Sequence, residues 1–158
     1  MDDKHKPAIL EYWRSYVKSL TKEGGSPPAE HQAWSFGNTP EMADQLGELV
    51  REGIKTTTSS LAWWYEQGIE PYPEVGEYSI ILDSSSRPMC IVQTIELSVH
   101  AFNEVGEGHA YLEGEGDRSL RYWRAVHWKF FSEECRELDW EPYEQMPVLC
   151  ERFKLVYS

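Results

Sequence analysis

A capped helix that runs straight into a lysine and a block of hydroxyls constrains this chain more than any other stretch. Thr39-Pro40-Glu41 has the features of a helix start: a hydroxyl N-cap, a proline whose missing N–H costs nothing, and an acid in the first turn. Met42, Ala43, Leu46, Leu49 and Val50 recur at helical spacing and form one buried face. Gly53 fits the position just past the helix end, where a left-handed conformation costs glycine little. Lys55 follows at once, and after it comes Thr56-Thr57-Thr58-Ser59-Ser60. The lysine is therefore held at a rigid edge, in a turn entering the next element. If that element is extended, Thr56, Thr58 and Ser60 share one face. Residue chemistry leaves three readings open for Lys55. It can complement the helix dipole, it can act as a desolvated base beside a hydroxyl, or it can clamp a phosphate with those hydroxyls.

The rest of the chain supplies a scaffold. Ile9, Tyr12, Trp13, Tyr16, Val17 and Leu20 mark a helix over 7–21, and Gly24-Gly25-Ser26-Pro27-Pro28 ends it. Residues 61–66 predict a short helix. Two β-branched runs at 78–83 and 89–99, joined by Ser84-Ser85-Ser86-Arg87-Pro88, predict a hairpin. A helix over about 118–138 carries Leu120, Trp123, His127, Phe130 and Phe131 on one side, with Asp117 or Ser119 as its cap. Phe153, Leu155 and Tyr157 alternate in a closing strand over 146–157. Further short strands are expected from 54–60, 100–103 and the region near 146. This order of elements is α+β, with a small sheet or barrel partly covered by helices. At 158 residues the chain fits one domain.

Composition excludes several function classes. A net charge of −12 argues against a broad basic face for duplex DNA. Cys90, Cys135 and Cys150 form no CxxC pair, which suits free buried thiols in a reducing compartment and hence a cytoplasmic location. The first residues lack a signal-peptide apolar stretch, and no apolar run approaches the roughly 20 residues that span a bilayer. The five histidines show no HExxH-type spacing, so no metal and no cofactor are expected, and His127 reads as a hydrogen-bonded core histidine. Nucleophile-elbow, P-loop and dinucleotide fingerprints are absent.

Two further stretches carry candidate chemistry. Tyr111-Leu112-Glu113-Gly114-Glu115-Gly116-Asp117-Arg118-Ser119 alternates acids with glycines just before a helix. It reads either as a solvated turn, or as a carboxylate poised near a substrate, with glycines admitting close backbone approach and helix N–H groups facing an anion. Trp34-Ser35-Phe36-Gly37 places two aromatics in a non-periodic segment, for packing or for stacking on a ligand.

Taken together, these stretches resemble a known family. Gly53-Ile54-Lys55-Thr56-Thr57-Thr58 matches the GxKxxT signature of ASCH domains. Trp34-Ser35-Phe36-Gly37, Leu46-Gly47-Glu48-Leu49-Val50, the Glu113–Leu120 stretch, Tyr122-Trp123-Arg124, His127-Trp128 and Phe130-Phe131 look like the larger bacterial members. The resemblance implies an ASCH domain over 31–158, with the N-terminal helix and its connection at 1–30 packed onto it. It implies a small mixed PUA-like β-barrel flanked by helices, and an RNA, nucleoside or nucleotide ligand. Small ASCH proteins are amidohydrolases acting on N4-acetylcytidine through a lysine, a threonine and a glutamate; the matching positions are Lys55, Thr58 and Glu113. Some larger ones are described as metal-dependent ribonucleases, which points to Lys55 and Ser119. The expected ligand-binding residues are Ser60, Glu115, Asp117, Arg118 and Ser119, with Trp34 and Phe36 as stacking rings. One departure stands out: Ser59-Ser60-Leu61 follow the motif where small members commonly carry arginine. A non-catalytic binding module for RNA or nucleotides is the alternative function. The amidohydrolase form needs Lys55 neutral; the ribonuclease form needs it charged.

Overall fold

The strands follow one another in the sheet as β1-β3-β4-β5-β2, with β1 parallel to β3 and the pairs β3/β4 and β2/β5 antiparallel. In chain order the elements are α1 (Lys6–Lys22), β1 (Gln32–Trp34), α2 (Pro40–Arg51), β2 (Thr57–Leu61), α3 (Trp63–Glu66), β3 (Tyr78–Leu82), β4 (Pro88–Ala101), α4 (Glu107–Glu113), α5 (Leu120–Glu137) and β5 (Pro147–Tyr157). A 3₁₀ turn, Phe102–Glu104, lies between β4 and α4. This computed structural model describes residues 6–25 and 31–158; the segment before Lys6 and the predicted Ser26-Pro27-Pro28 stop lie outside them. The fold is α+β with a mixed sheet and accompanying helices, as expected.

The described residues divide into two compact units. One holds the chain up to Gly53, with Gly76–Thr94 and Lys154–Ser158; the other holds Ile54–Val75 and Ile95–Phe153. The long strands β4 and β5 each contribute to both.

In the first unit, β1 pairs with β3 through Gln32↔Ser79 and Trp34↔Ile81, and β3 pairs with β4 through Tyr78↔Gln93 and Ile80↔Ile91. Ile9, Trp13 and Tyr16 from α1 bury against Ile80, Leu82 and Ile91. The hairpin turn is tied by Asp83, whose Oδ1 accepts from the Ser85 and Arg87 backbone N–H groups. Helix α2 starts as predicted: Thr39 accepts from the Met42 N–H at 3.2 Å, and Pro40 is the first helical residue. Strand β1 was read as irregular connection. Three residues carry too little period-two pattern, and pairing with β3, 47 positions away at Gln32↔Ser79, is what makes it a strand.

The second unit is built on β2 and β5, paired as Thr57↔Arg152, Ser59↔Cys150 and Leu61↔Val148. Leu61, Phe102, Val105, Ala110, Trp123, Phe131, Met146 and Val148 form its core. Each large apolar side chain buried there contributes about 1.5–3 kcal/mol. The three cysteines are free and buried, and burial pushes the Cys90 and Cys150 thiols up to about 12. The glycine-rich stretch 103–117 differs from expectation. No helix is expected there, yet it contains helix α4, because packing of Ala110 and Glu113 overrides the low helix propensity of Gly108. No helix among the described residues is long and apolar enough to cross a membrane.

Candidate active site

Gly53, at φ 79°, releases the chain from α2, and Ile54-Lys55-Thr56 runs alongside the C-terminal turn of α4 before entering β2. The strand takes up carbonyls that α4 leaves unpaired at its end. Thr56 N–H donates to Leu112 O at 2.8 Å, and Thr57 Oγ1–H donates to His109 O at 3.2 Å. Gly114 makes the approach possible. It caps α4 at φ 73°, and a Cβ there would lie 2.8 Å from Ile54 O.

This contact places Lys55 and Glu113, 58 residues apart in sequence, in one buried cluster; both residues are only 1% exposed. The Lys55 ammonium donates to Glu113 Oε1 at 3.0 Å, to Glu115 Oε2 at 3.0 Å and to Thr57 O at 2.9 Å. Glu113 Oε2 accepts from Ser59 Oγ at 2.6 Å and from Trp123 Nε1, with His109 Nε2 at 3.2 Å and His127 Nε2 at 3.3 Å. His127 donates through Nδ1 to Trp123 O at 2.8 Å and stacks on the Trp123 ring at 4.3 Å. A carbonyl only accepts and an ionised carboxylate only accepts, so both His127 nitrogens carry protons here.

The charges follow from this packing. Burial works against the Lys55 ammonium, but Glu113 and Glu115 outweigh it and raise its pKa, so Lys55 stays charged. Burial also works against ionised Glu113, yet Lys55, His127 and the hydrogen bond from His109 hold its carboxyl well below the usual range. Glu115 goes the other way: burial raises it, Lys55 lowers it, and neighbouring Glu113 leaves the net shift upward. His127 is disfavoured by burial and raised overall by Glu113. Donor atoms of Glu113, Glu115 and His127 lie within 4.8 Å of one another, a spacing that a metal ion could use. The cation bonded to both carboxylates is the Lys55 ammonium, so these residues fit an internal ion cluster rather than a metal.

A cavity of about 280 Å³ adjoins the cluster; Thr57 and His109 belong to both. Glu96, His100, Glu104, Glu151 and Arg152 also line it. Acids outnumber the one permanent cation, and Arg152 lies 3.9 Å from Glu96.

The structure therefore gathers Lys55, Glu113 and Glu115 and places the other sequence candidates elsewhere. The period of two in β2 turns Thr57 and Ser59 toward α4 and gives Thr58 and Ser60 the alternate face. Ser60 Oγ bonds Tyr65 OH at 2.8 Å. Asp117, Arg118 and Ser119 build a turn and a cap. Asp117 accepts from the Ser119 N–H, Arg118 lies over the Tyr111 ring at 3.7 Å, and Ser119 accepts from the Tyr122 N–H. Trp34 and Phe36 belong to the first unit, where their rings meet edge to face at 4.7 Å. Sequence reasoning missed Ser59, His109 and Trp123 as partners of Glu113, and took His127 for core alone. The available signals were two helical i, i+4 pairs, His109 with Glu113 and Trp123 with His127.

The fold and this arrangement have counterparts among known structures. An ASCH domain from Lactobacillus crispatus JV V101 superposes with a TM-score of 0.86 at 32% identity, over 100% of this chain and 97% of that one. Protein EF3133 from Enterococcus faecalis V583 gives 0.81 at 33% identity, over 94% of this chain and 90% of that one. The hypothetical protein PH0355 shares the fold, at a TM-score of 0.53 and 17% identity, over 78% of this chain and 99% of that one. No curated protein matches the sequence. The ASCH domain family model spans residues 32–157, from β1 through β5 and including every residue of the buried cluster. The GxKxxT turn and the acidic segment that it meets thus lie within a family-wide frame, and the chain belongs to the ASCH domain family.

Proposed function

We propose that this protein is a cytoplasmic hydrolase of a modified nucleoside, cleaving an exocyclic amide of the N4-acetylcytidine type. The observation that carries this reading is the junction of the buried Lys55–Glu113 cluster with a nucleoside-sized cavity, sharing Thr57 and His109. Lys55, with three N–H bonds made and its charge favoured, is a fixed cation; the neutral lysine base expected for the amide-hydrolase form is not what its surroundings favour, and the reading therefore needs a base other than Lys55. Glu113, ionised and bonded on both oxygens, is a fixed anion that orients its donors. Both serve electrostatic preorganisation from behind the cavity lining, through Thr57 and His109. Three glutamates at the cavity favour an uncharged nucleoside over a phosphodiester strand, which weighs against the ribonuclease form.

The test is a panel of acylated and unmodified nucleosides, nucleotides and short RNA, with product detection by mass spectrometry. Release of acetate and cytidine from N4-acetylcytidine supports the proposal. An unchanged panel under conditions where the protein is folded refutes it.

One observation favours a second reading, a non-catalytic RNA- or nucleotide-binding module. The hydrogen bonds of Lys55 and Glu113 turn inward on each other, as in a purely structural cluster. Titration calorimetry separates the two: the binding module retains nucleoside or RNA affinity with no product formed.

A further inference from the structure

Resting on the amide-hydrolase reading, we propose that His109 is the general base, acting through Nδ1 on a water held in the cavity. The argument is one of proton accounting. Glu113 Oε2 can only accept, and Ser59 Oγ lies 2.6 Å from it, so the Ser59 hydroxyl proton points to Glu113. His109 Nε2 lies 2.6 Å from that same Ser59 oxygen and 3.2 Å from Glu113 Oε2. With the serine proton spent on the carboxylate, both neighbours of Nε2 are acceptors. A lone pair at Nε2 would face two oxygen lone pairs, so Nε2 carries the proton. The Nδ1 lone pair is what remains, and Nδ1 has no protein partner among the described residues. His109 also lines the cavity.

The relay Glu113, Ser59, His109 thus does for this ring what a triad carboxylate does for its histidine: it fixes the tautomer and stabilises the imidazolium that forms. Thr57 holds the helix turn by bonding the His109 carbonyl, and the Trp123 ring meets the imidazole edge-on at 6.1 Å, which limits rotation. In the reaction, Nδ1 takes one proton from water as the water oxygen bonds to the acyl carbon. The C–N bond then breaks, and the Nδ1 proton passes to the departing exocyclic nitrogen. One water is consumed, and a carboxylic acid and an amine result. Of the charged and titratable groups, Glu113 on its own helix contacts His109; His127 on α5 and Lys55 reach it through Glu113, with Glu115 on the far side of Lys55; and Glu96 and His100 on β4, Glu104 on the 3₁₀ turn, and Glu151 and Arg152 on β5 line the cavity with it.

Two experiments test this. Long-range ¹H–¹⁵N correlation on the full chain labelled with ¹⁵N-histidine reads the tautomer without any substrate. A proton on Nε2 and a bare Nδ1 are expected, and the reverse tautomer overturns the proposal. With N4-acetylcytidine as substrate, His109→Gln keeps a side-chain N–H for Ser59 but has no base. It should lose about 100-fold or more in kcat, keep KM within about twofold, and lose the acidic limb of the pH–rate profile. His109→Gln retaining kcat within about threefold overturns the base role alone. Wild-type protein that turns over no acylated nucleoside overturns the amide-hydrolase reading and the base role together.

Discussion

Replacing Lys55 by methionine tests the charge cluster most directly. Methionine keeps an unbranched apolar stem of similar reach and removes only the ammonium and its three hydrogen bonds. At 3.0 Å each Lys55–carboxylate pair carries about 5.5 kcal/mol of Coulomb attraction at an effective dielectric of about 20, and the two pairs together bound the effect from above at about 11 kcal/mol. Much of that offsets burial of the three charges. The net loss expected on breaking such a buried pair is about 3–5 kcal/mol, a large part of the stability of an ordinary domain. The loss should also depend on pH. Without the ammonium, the Glu115 carboxyl, already raised by burial and by Glu113, rises further. A carboxyl with a raised folded pKa makes the native state bind its proton more tightly. Stability is then retained at acid pH and lost as pH rises through the folded pKa. The Lys55→Met deficit should therefore be largest near pH 8 and shrink toward pH 5. Urea denaturation of both proteins across this range, at constant m-value, measures it. A loss below about 1 kcal/mol that is flat with pH would refute the argument that Lys55 neutralises the two buried carboxylates.

Two further perturbations have defined outcomes. Gly114→Ala forces a left-handed residue, costing about 1–2 kcal/mol, and drives a Cβ to 2.8 Å from Ile54 O. With about 1–3 kcal/mol of overpacking added, the total is about 2–5 kcal/mol in chemical denaturation, and a near-neutral result would show that the α4–β2 contact is slack. Glu134, which accepts from Trp64 Nε1 at 2.7 Å, is pushed by burial from 4.5 up to about 7. Its folded state binds the proton more tightly, so wild-type stability should fall as pH rises between those values; Glu134→Gln should abolish this decline in Tm, and parallel profiles would contradict it.

The parts of the site that were legible in the sequence are those governed by neighbours in the chain. Thr39-Pro40-Glu41 and Gly53 announced α2 and its end, and the structure shows Thr39 capping and Gly53 at positive φ. Ser119 was one of two cap candidates for α5, and it is the one used. Helix α4 escaped notice because Gly106 and Gly114 flank its seven residues and Gly108 interrupts them, and its stability comes from burying Ala110 and Glu113. The acidic segment was recognised as important, but its members divide. Glu113 and Glu115 reach Lys55, whereas Asp117, Arg118 and Ser119 make the turn into α5.

What the sequence determined by itself was the family frame, the boundaries of most elements and the two segments that matter, since capping, periodicity and the GxKxxT pattern are local or contiguous signals. Tertiary structure decided the partners. Whether Thr58 or Ser59 faces Glu113 depends on the register of β2 against β5, because a shift of one residue in a strand exchanges its faces. The charge of Lys55 depends on two carboxylates about 60 residues away and on their burial, which no local pattern encodes. The same holds for His109. Its Nε2 is engaged by Ser59 and Glu113, which are brought together only when α4 docks on β2, and that docking makes a helix residue part of both the buried cluster and the cavity lining.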